Sequence, residues 1–361
     1  KMIGRGKLSD VWLALDKTTS EIVVLKIIPK HLIIYYGLAN QVRCQRDIFV
    51  QSDSPWIADL ICSFQDPDNL YYVVEYLPGG DLRNRLSTIH TFPEEQVVFY
   101  IGEILLALNS VHELGYIHQN LTPANVLISS TGHIKLSNFA CSDNYANPEK
   151  VELSAYLEQL TLLMEDQAEE DSLPLQIQTI GRPKLPLTLT LSYMPPEFLP
   201  NSFHRSISGD FWNLGIIMYE LLYGIRPFPI RNVKEYNQVV LNWPQYLRFP
   251  PNPNVSRNAI DLMSHLICYQ DDRYGYVDII THPFFEAFDF DEPDANEPPY
   301  IPQLSSPVDT SHFQDEFRPN PDQNILIPHK GIVEDYAFLG FTYKNTSQNK
   351  TLSKLKEKQN E

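Results

Sequence analysis

His118-Gln119-Asn120-Leu121-Thr122-Pro123-Ala124-Asn125 and, a short way on, Lys135-Leu136-Ser137-Asn138-Phe139-Ala140 decide how this chain is read. Each is a polar loop set against apolar, strand-like residues. Tyr116-Ile117 precedes the first, Val126-Leu127-Ile128 follows it, and His133-Ile134 leads into the second. Apart from His118 and Lys135 at their starts, the polar positions hold four amides, Gln119, Asn120, Asn125 and Asn138, and two hydroxyls, Thr122 and Ser137. Asn120 and Asn138 have the shape of aspartate without its charge. Neither accepts a proton near neutral pH, and an amide oxygen is a poor ligand for a hard cation such as magnesium. The loops have the form of a catalytic pair with the charge removed.

Working outward, Gly4-Arg5-Gly6-Lys7-Leu8-Ser9-Asp10-Val11 has the spacing G-x-G-x-x-S-x-V between two strand-like stretches. Such spacings arise by chance, so position carries the inference. Glycines let a backbone approach phosphates, and Ser9 is an imperfect stand-in for a third. Lys26, in Val23-Val24-Leu25-Lys26, follows one strand later. Alone it would be a surface lysine on a strand edge; behind a glycine loop it is a phosphate-binding candidate. A helical stretch offers it Gln45, within Val42-Arg43-Cys44-Gln45-Arg46-Asp47-Ile48. Gln45 can hydrogen-bond the ammonium but cannot neutralise it.

The first 77 residues read as strand-rich. Val11–Leu15 and Ile22–Ile28 flank a turn at Lys17-Thr18-Thr19-Ser20, a helix is expected from about Leu38 to Val50, and Leu70–Glu75 forms a strand stopped by Pro78-Gly79-Gly80. Helical periodicity then takes over. Val97, Val98, Ile101, Ile104, Leu105, Leu108 and Val111 make one stripe behind the first turn Pro93-Glu94-Glu95. Further buried helices are expected near Trp212–Leu222 and Ala259–Ile267. Residues 141–190 form a long insertion, with an amphipathic helix from Val151 to Met164 and an acidic run at Glu165–Asp171. Residues 286–361 are a tail too poor in periodic apolar residues to be a domain, and its end, with Lys350, Lys354, Lys356 and Lys358, reads as disordered.

With 361 residues, 43% of them hydrophobic, the chain can bury a sizeable core. A net charge of −17 argues against nucleic acid or an anionic membrane as main partner. Cys44, Cys62, Cys141 and Cys268 form no CxxC pair, which fits a reducing compartment and no zinc site. No apolar run spans a bilayer. The chain opens on Lys1, almost on the glycine loop, so an upstream segment is expected.

These motifs resemble eukaryotic protein kinases over almost the whole chain. Leu77-Pro78-Gly79-Gly80-Asp81, Ser63-Phe64-Gln65-Asp66 and the hydrophobic motif Phe338-Leu339-Gly340-Phe341-Thr342-Tyr343 are similar to the AGC group. Tyr193-Met194-Pro195-Pro196-Glu197 behind a long insertion, Leu241-Asn242-Trp243 and Phe249-Pro250-Pro251 resemble the NDR/LATS family. Pro299–Leu304 and the Gly-Phe-Thr ending resemble its fungal septation and mitotic-exit branch.

The resemblance implies an α+β bilobal fold. A small lobe would span residues 1–77, a large lobe 78–285, and a tail 286–361 with its motif at 338–343. ATP would sit between the lobes against Gly4, Gly6, Ser9, Val11 and Lys26, with Val74 as gatekeeper and Glu75 to Leu77 as hinge. Asn120 would replace the base, Thr122 a phosphate-contacting lysine, Gln45 the ion-pair glutamate and Ala124 an acid. Asn125 is retained, and Asn138 replaces the main magnesium ligand, so magnesium binding would be weak or lost. Ala140 replaces a glycine with special backbone angles.

The scaffold is kept. Glu197 would pair with Arg273, and Asp210 would cap its helix and tie the catalytic loop. Thr342 would be the phosphoacceptor for an upstream kinase, with Phe338 and Phe341 docking the tail. The activation-loop phosphosite would fall near Pro186, which has no acceptor, and its arginine partner is Gln119. MOB co-activators bind family members through a basic segment ahead of the kinase domain that is not in this sequence, so MOB binding is not expected.

The implied function is that of a pseudokinase. It would bind an upstream kinase, a scaffold or an active paralogue in cell-division or morphogenesis signalling, in the cytoplasm and at division-site or spindle-pole structures. The alternatives are a weak or atypical ATP-dependent serine/threonine kinase and a nucleotide-gated switch.

Overall fold

The β-branched run Ile22-Val23-Val24 and its apolar continuation form the central strand of an antiparallel sheet. In the computed structural model, which describes residues 1–6, 8–36, 38–140, 142–144, 190–198, 206–228, 230, 233–313 and 338–345, this strand is β3 (Ile22–Pro29). It lies between β2 (Asp10–Leu15) and β5 (Asn69–Glu75); the full order is β1 (Met2–Arg5), β2, β3, β5, β4 (Leu60–Gln65) and β10 (Tyr343–Lys344). The β2–β3 turn is set by Asp16, whose carboxylate accepts from the Thr18 backbone N–H at 2.7 Å. The register places Lys26 opposite Val11 on one side and Tyr72 on the other.

Two helices pack beside this sheet. The short α1 (Lys30–Tyr35) buries Leu32 and Ile33, and α2 (Ala39–Gln51) buries Val42, Cys44, Gln45, Ile48 and Phe49. The helix expected from Leu38 is therefore present, whereas α1 was not anticipated: His31-Leu32-Ile33-Ile34 reads locally as an extension of the strand.

The second lobe begins with α3 (Leu82–Ile89), capped by Asp81 accepting from the Asn84 N–H at 2.8 Å. In α4 (Glu94–Glu113) the apolar stripe faces inward, with Glu94 and Glu95 at the positive end of the helix dipole. Two short ribbons follow, β6 (Tyr116–Ile117) with β9 (Asp143–Asn144), and β7 (Val126–Ile128) with β8 (Ile134–Leu136). Buried Glu103 of α4 holds β8 by accepting from the Ile134 N–H at 2.8 Å and bonding His133 at 2.5 Å. Burial pushes its carboxyl up even so.

Helix α5 (Ser208–Tyr223) is buried along most of its length and stops at Gly224, whose φ of 71° and close approach to the His90 carbonyl leave no place for a side chain. Helices α6 (Val233–Val239), α7 (Trp243–Tyr246), α8 (Arg257–Leu266) and α9 (Tyr276–Ile280) complete the lobe. The α+β, two-lobed arrangement expected from the sequence is the one observed.

The tail wraps both lobes. Phe288 and Phe290 pack with Phe285, and Tyr300 lies 3.6 Å beneath the Arg85 guanidinium. The His312 carbonyl presses on Gly80, which tolerates this with φ 71° and no Cβ. The last described segment returns to the small lobe as β10, paired with β4. The insertion helix, the acidic run, Pro186 and the lysine-rich end lie outside the described residues. Among the described residues, Cys44, Cys62 and Cys268 are free thiols, and no helix is long and apolar enough to cross a membrane.

Candidate functional site

The β7–β8 hairpin register brings the two decisive loops together. Val126 pairs with Leu136, so Asn125 and Ser137 sit side by side, with the Ser137 N–H bonded to the Asn125 carbonyl at 3.0 Å. A run of neutral amides follows. Lys26 donates to Asn138 Oδ1 at 2.8 Å, Asn138 Nδ2 to Asn125 Oδ1 at 3.0 Å, and Asn125 Nδ2 to the Asn120 carbonyl at 2.7 Å. Gln45 reaches Lys26 from α2 at 3.4 Å, a long bond. Five of the predicted site residues thus form one connected run, carrying one positive charge and no negative one.

Asp210 fixes the loop. It sits in the first turn of α5 and accepts from the backbone N–H groups of His118 and Gln119, both at 2.8 Å, while bonding His112 at 2.8 Å. It does not cap its own helix, whose N-cap residue is Ile207. Its carboxylate caps the loop instead, because a buried anion needs several donors. The predicted tie to the loop is present and the predicted cap is not. Burial pushes the His118 imidazole down to about 4, so the ring is neutral in the fold.

Gln119 and Asn138 both have φ 63°. Asparagine tolerates this left-handed region better than most residues. Ala140 does not adopt positive φ, so the expected strain at that lost glycine is absent.

Beside Lys26 lies a cavity of about 330 Å³. Gly4, Gly6, Ser9 and Val11 form its roof, with Val24, Val74 and Leu77 behind and Leu127 below. Its apolar walls suit a flat base, with phosphates directed towards Lys26 and the glycine loop. The loop tip is closed by the Gly6 N–H donating to the Ser9 carbonyl at 2.8 Å, and Ser9 needs no positive φ. Glu75 at the hinge accepts from Lys135 of β8 at 2.5 Å and so pins one lobe to the other. Tyr76 lies within the expected hinge, whereas Phe313, which stacks on it at 5.8 Å and lines the same cavity, was missed. Phe313 is an aromatic in a tail otherwise poor in apolar periodicity, a faint signal before the chain path is known.

A family model described as "Protein kinase domain" matches residues 1–285. The chain is 34% identical to "Serine/threonine-protein kinase CBK1" of Pneumocystis carinii, over 95% of this chain and 72% of that one. It is 34% identical to "Probable serine/threonine-protein kinase ndrB" of Dictyostelium discoideum (96% and 68%) and 33% identical to "Serine/threonine-protein kinase tricornered" of Drosophila melanogaster (95% and 78%). The chain belongs to the NDR/LATS family of protein kinases. These relatives come from a fungus, an amoeba and an insect at nearly equal identity, so the fungal septation branch rests on the tail residues alone.

NDR/LATS membership implies ATP with magnesium in general, and protein substrates or partners. The nucleotide cavity fits that expectation; the metal position does not. The oxygens that Asn125 and Asn138 would turn to a cation already accept hydrogen bonds, from Asn138 and Lys26. Both are neutral, and among the described residues no three histidine, cysteine or acidic side chains converge to hold an ion.

Other family features are placed as follows. Arg273 and Glu197 form a two-pronged ion pair, the second prong at 3.2 Å, and Arg273 also donates to the carbonyls of Ser208 (2.9 Å) and Cys268 (2.8 Å). Phe338 and Phe341 are buried against the small lobe, with Phe341 edge-on to Tyr72 at 5.1 Å. Thr342 between them and the strand is exposed. Thr122 is buried and lines the cleft.

Proposed function

We propose that this chain is an NDR/LATS-family pseudokinase, a kinase fold used for binding rather than phosphate transfer. The observation that carries it is the Lys26–Asn138–Asn125 amide run. It engages the oxygens a metal would use in hydrogen bonds and supplies no anionic ligand, while Asn120 supplies no base. The chain would act by occupying protein partners, such as an upstream kinase, a scaffold or an active paralogue, in cell-division or morphogenesis signalling in the cytoplasm. Thr342 would be a modification site on a tail held mainly by the buried rings of Phe338 and Phe341.

A second proposal, a weak serine/threonine kinase, is favoured by the names of the relatives and by retention of Lys26 and Asn125. One experiment separates the two. Labelled phosphate transfer from ATP to a generic protein substrate is measured for the parent and Lys26→Ala. Equal background in both supports the pseudokinase; signal lost only in Lys26→Ala establishes the kinase.

A further inference from the structure

One flank of the cleft has the opposite charge to the molecule. It is a cavity of about 530 Å³ whose lining includes Arg83, Arg226, Thr122, Ser192 and Lys26. No carboxylate is among the described residues that line it, on a chain of net charge −17. Arg83, in the first turn of α3, reaches the Tyr193 hydroxyl at 3.5 Å, and its Nε is buried with no hydrogen-bond partner. Arg226, just past the Gly224 turn, lies 6.0 Å from the centre of the same ring.

The carboxylate beside this pair, Glu220, is 3.8 Å from Arg226 and already accepts a hydrogen bond from the Tyr193 hydroxyl. Two guanidiniums around one carboxylate leave the flank positive. Asp81, at the start of α3, is engaged in capping that helix, and Ala124 lines the wall with a methyl group.

We propose that this flank binds an acidic peptide segment of a protein partner, with Arg83 and Arg226 holding its carboxylate or phosphoserine groups. Guanidiniums match both groups in planar, two-point geometry, whereas a basic peptide would meet like charge. This rests on the cleft being a protein-binding one. It does not depend on whether phosphate is transferred, so the transfer assay and the test below fail independently.

The test is fluorescence anisotropy of the whole chain with three labelled peptides of equal length: Asp/Glu-rich, phosphoserine-containing, and Arg/Lys-rich. Each is measured with and without saturating ATP. At least one anionic peptide is expected to bind about tenfold or more tighter than the basic one, and to stay bound with ATP present. Arg83→Gln and Arg226→Gln should each weaken it about tenfold. Arg83→Glu should shift preference towards the basic peptide, a gain that a misfolded variant cannot show. Comparing the two anionic peptides identifies the preferred group. Equal or tighter binding of the basic peptide, or no binding of any, overturns the proposal. So does displacement by ATP with both arginine variants binding normally, which assigns the anion to the Lys26 site.

Discussion

Lys26 of the small lobe donates its shorter hydrogen bond, 2.8 Å, to Asn138 of the large lobe rather than to Gln45 on its own lobe, 3.4 Å away. The ammonium therefore bridges the lobes through neutral amides. An aspartate here would draw both the lysine and a metal ion, whereas the neutral Asn138 amide accepts a hydrogen bond from the lysine.

Replacing Asn120 and Asn138 together by aspartate should return a base and an anionic metal ligand to a loop whose backbone Asp210 already holds. Labelled phosphate transfer by the double variant is expected to exceed the parent by about two or more orders of magnitude, the usual worth of a positioned acid–base group. Transfer by the parent that is above the Lys26→Ala background and equal to that of the double variant would remove the pseudokinase proposal.

ATP should stabilise the parent to the same extent with and without magnesium, since Asn125 and Asn138 offer the metal only neutral amide oxygens. Stabilisation of about 2.7 kcal/mol is expected at a ligand concentration 100 times Kd. Thermal melts with ATP plus EDTA against ATP plus magnesium give the comparison; a shift seen only with magnesium would contradict the amide-run argument.

Arg273→Ala should unfold the large lobe more readily, by about 3–5 kcal/mol, because it leaves Glu197 and two carbonyls without their donor in a buried setting. Arg273→Lys should recover only part of this, since one ammonium cannot reproduce the fork. Urea unfolding of the three proteins measures it.

Much of this was legible in advance. Strands β2, β3 and β5 and helices α2 and α4 follow from period and turn signals, and the Lys26–Gln45 and Glu197–Arg273 pairs from the resemblance to protein kinases. The rest was hidden for particular reasons. Helix α1 is six residues of strand-like composition, stabilised only by burying Leu32 and Ile33. The Asn138–Asn125 bond depends on hairpin register, which periodicity does not give. Phe313 reaches the nucleotide cavity only because the tail crosses Gly80.

The tail should stay docked whatever the state of Thr342. Ser63 Oγ donates to the Phe341 carbonyl at 2.7 Å and Gln65 to the Phe338 carbonyl at 3.0 Å, while the Thr342 side chain is exposed. Thr342→Ala and Thr342→Glu are expected to leave hydrogen-exchange protection of β4 unchanged. Phe341→Ala should abolish that protection and cost about 3–5 kcal/mol. Loss of protection in Thr342→Ala would point instead to a phosphate-dependent latch.

Acid should weaken the fold through His118. Its imidazole is held near 4 when folded against an ordinary value of 6.5, so between those values the unfolded chain binds the extra proton. That contribution is complete above about 6.5 and falls as pH drops towards 4, by up to about 1.4 kcal/mol per pH unit. Urea midpoints at pH 7, 6 and 5 should decline more steeply for the parent than for His118→Gln; parallel declines would exclude His118 as the cause.

Strand β10 closes an edge of the first sheet with residues made long after the rest of that sheet. Its Phe341 carbonyl meets Ser63 across 278 positions of chain, so during synthesis β4 leaves the ribosome with a bare edge and waits for its neighbour. At about 5–20 residues per second that wait lasts roughly a quarter of a minute to a minute. Throughout it, the half-finished sheet offers unpaired backbone and an empty pocket for two phenylalanines to any other nascent chain. Ribosome-bound chaperones, rather than the finished protein's own contacts, would have to guard that edge, and truncation ahead of residue 338 would leave it open permanently.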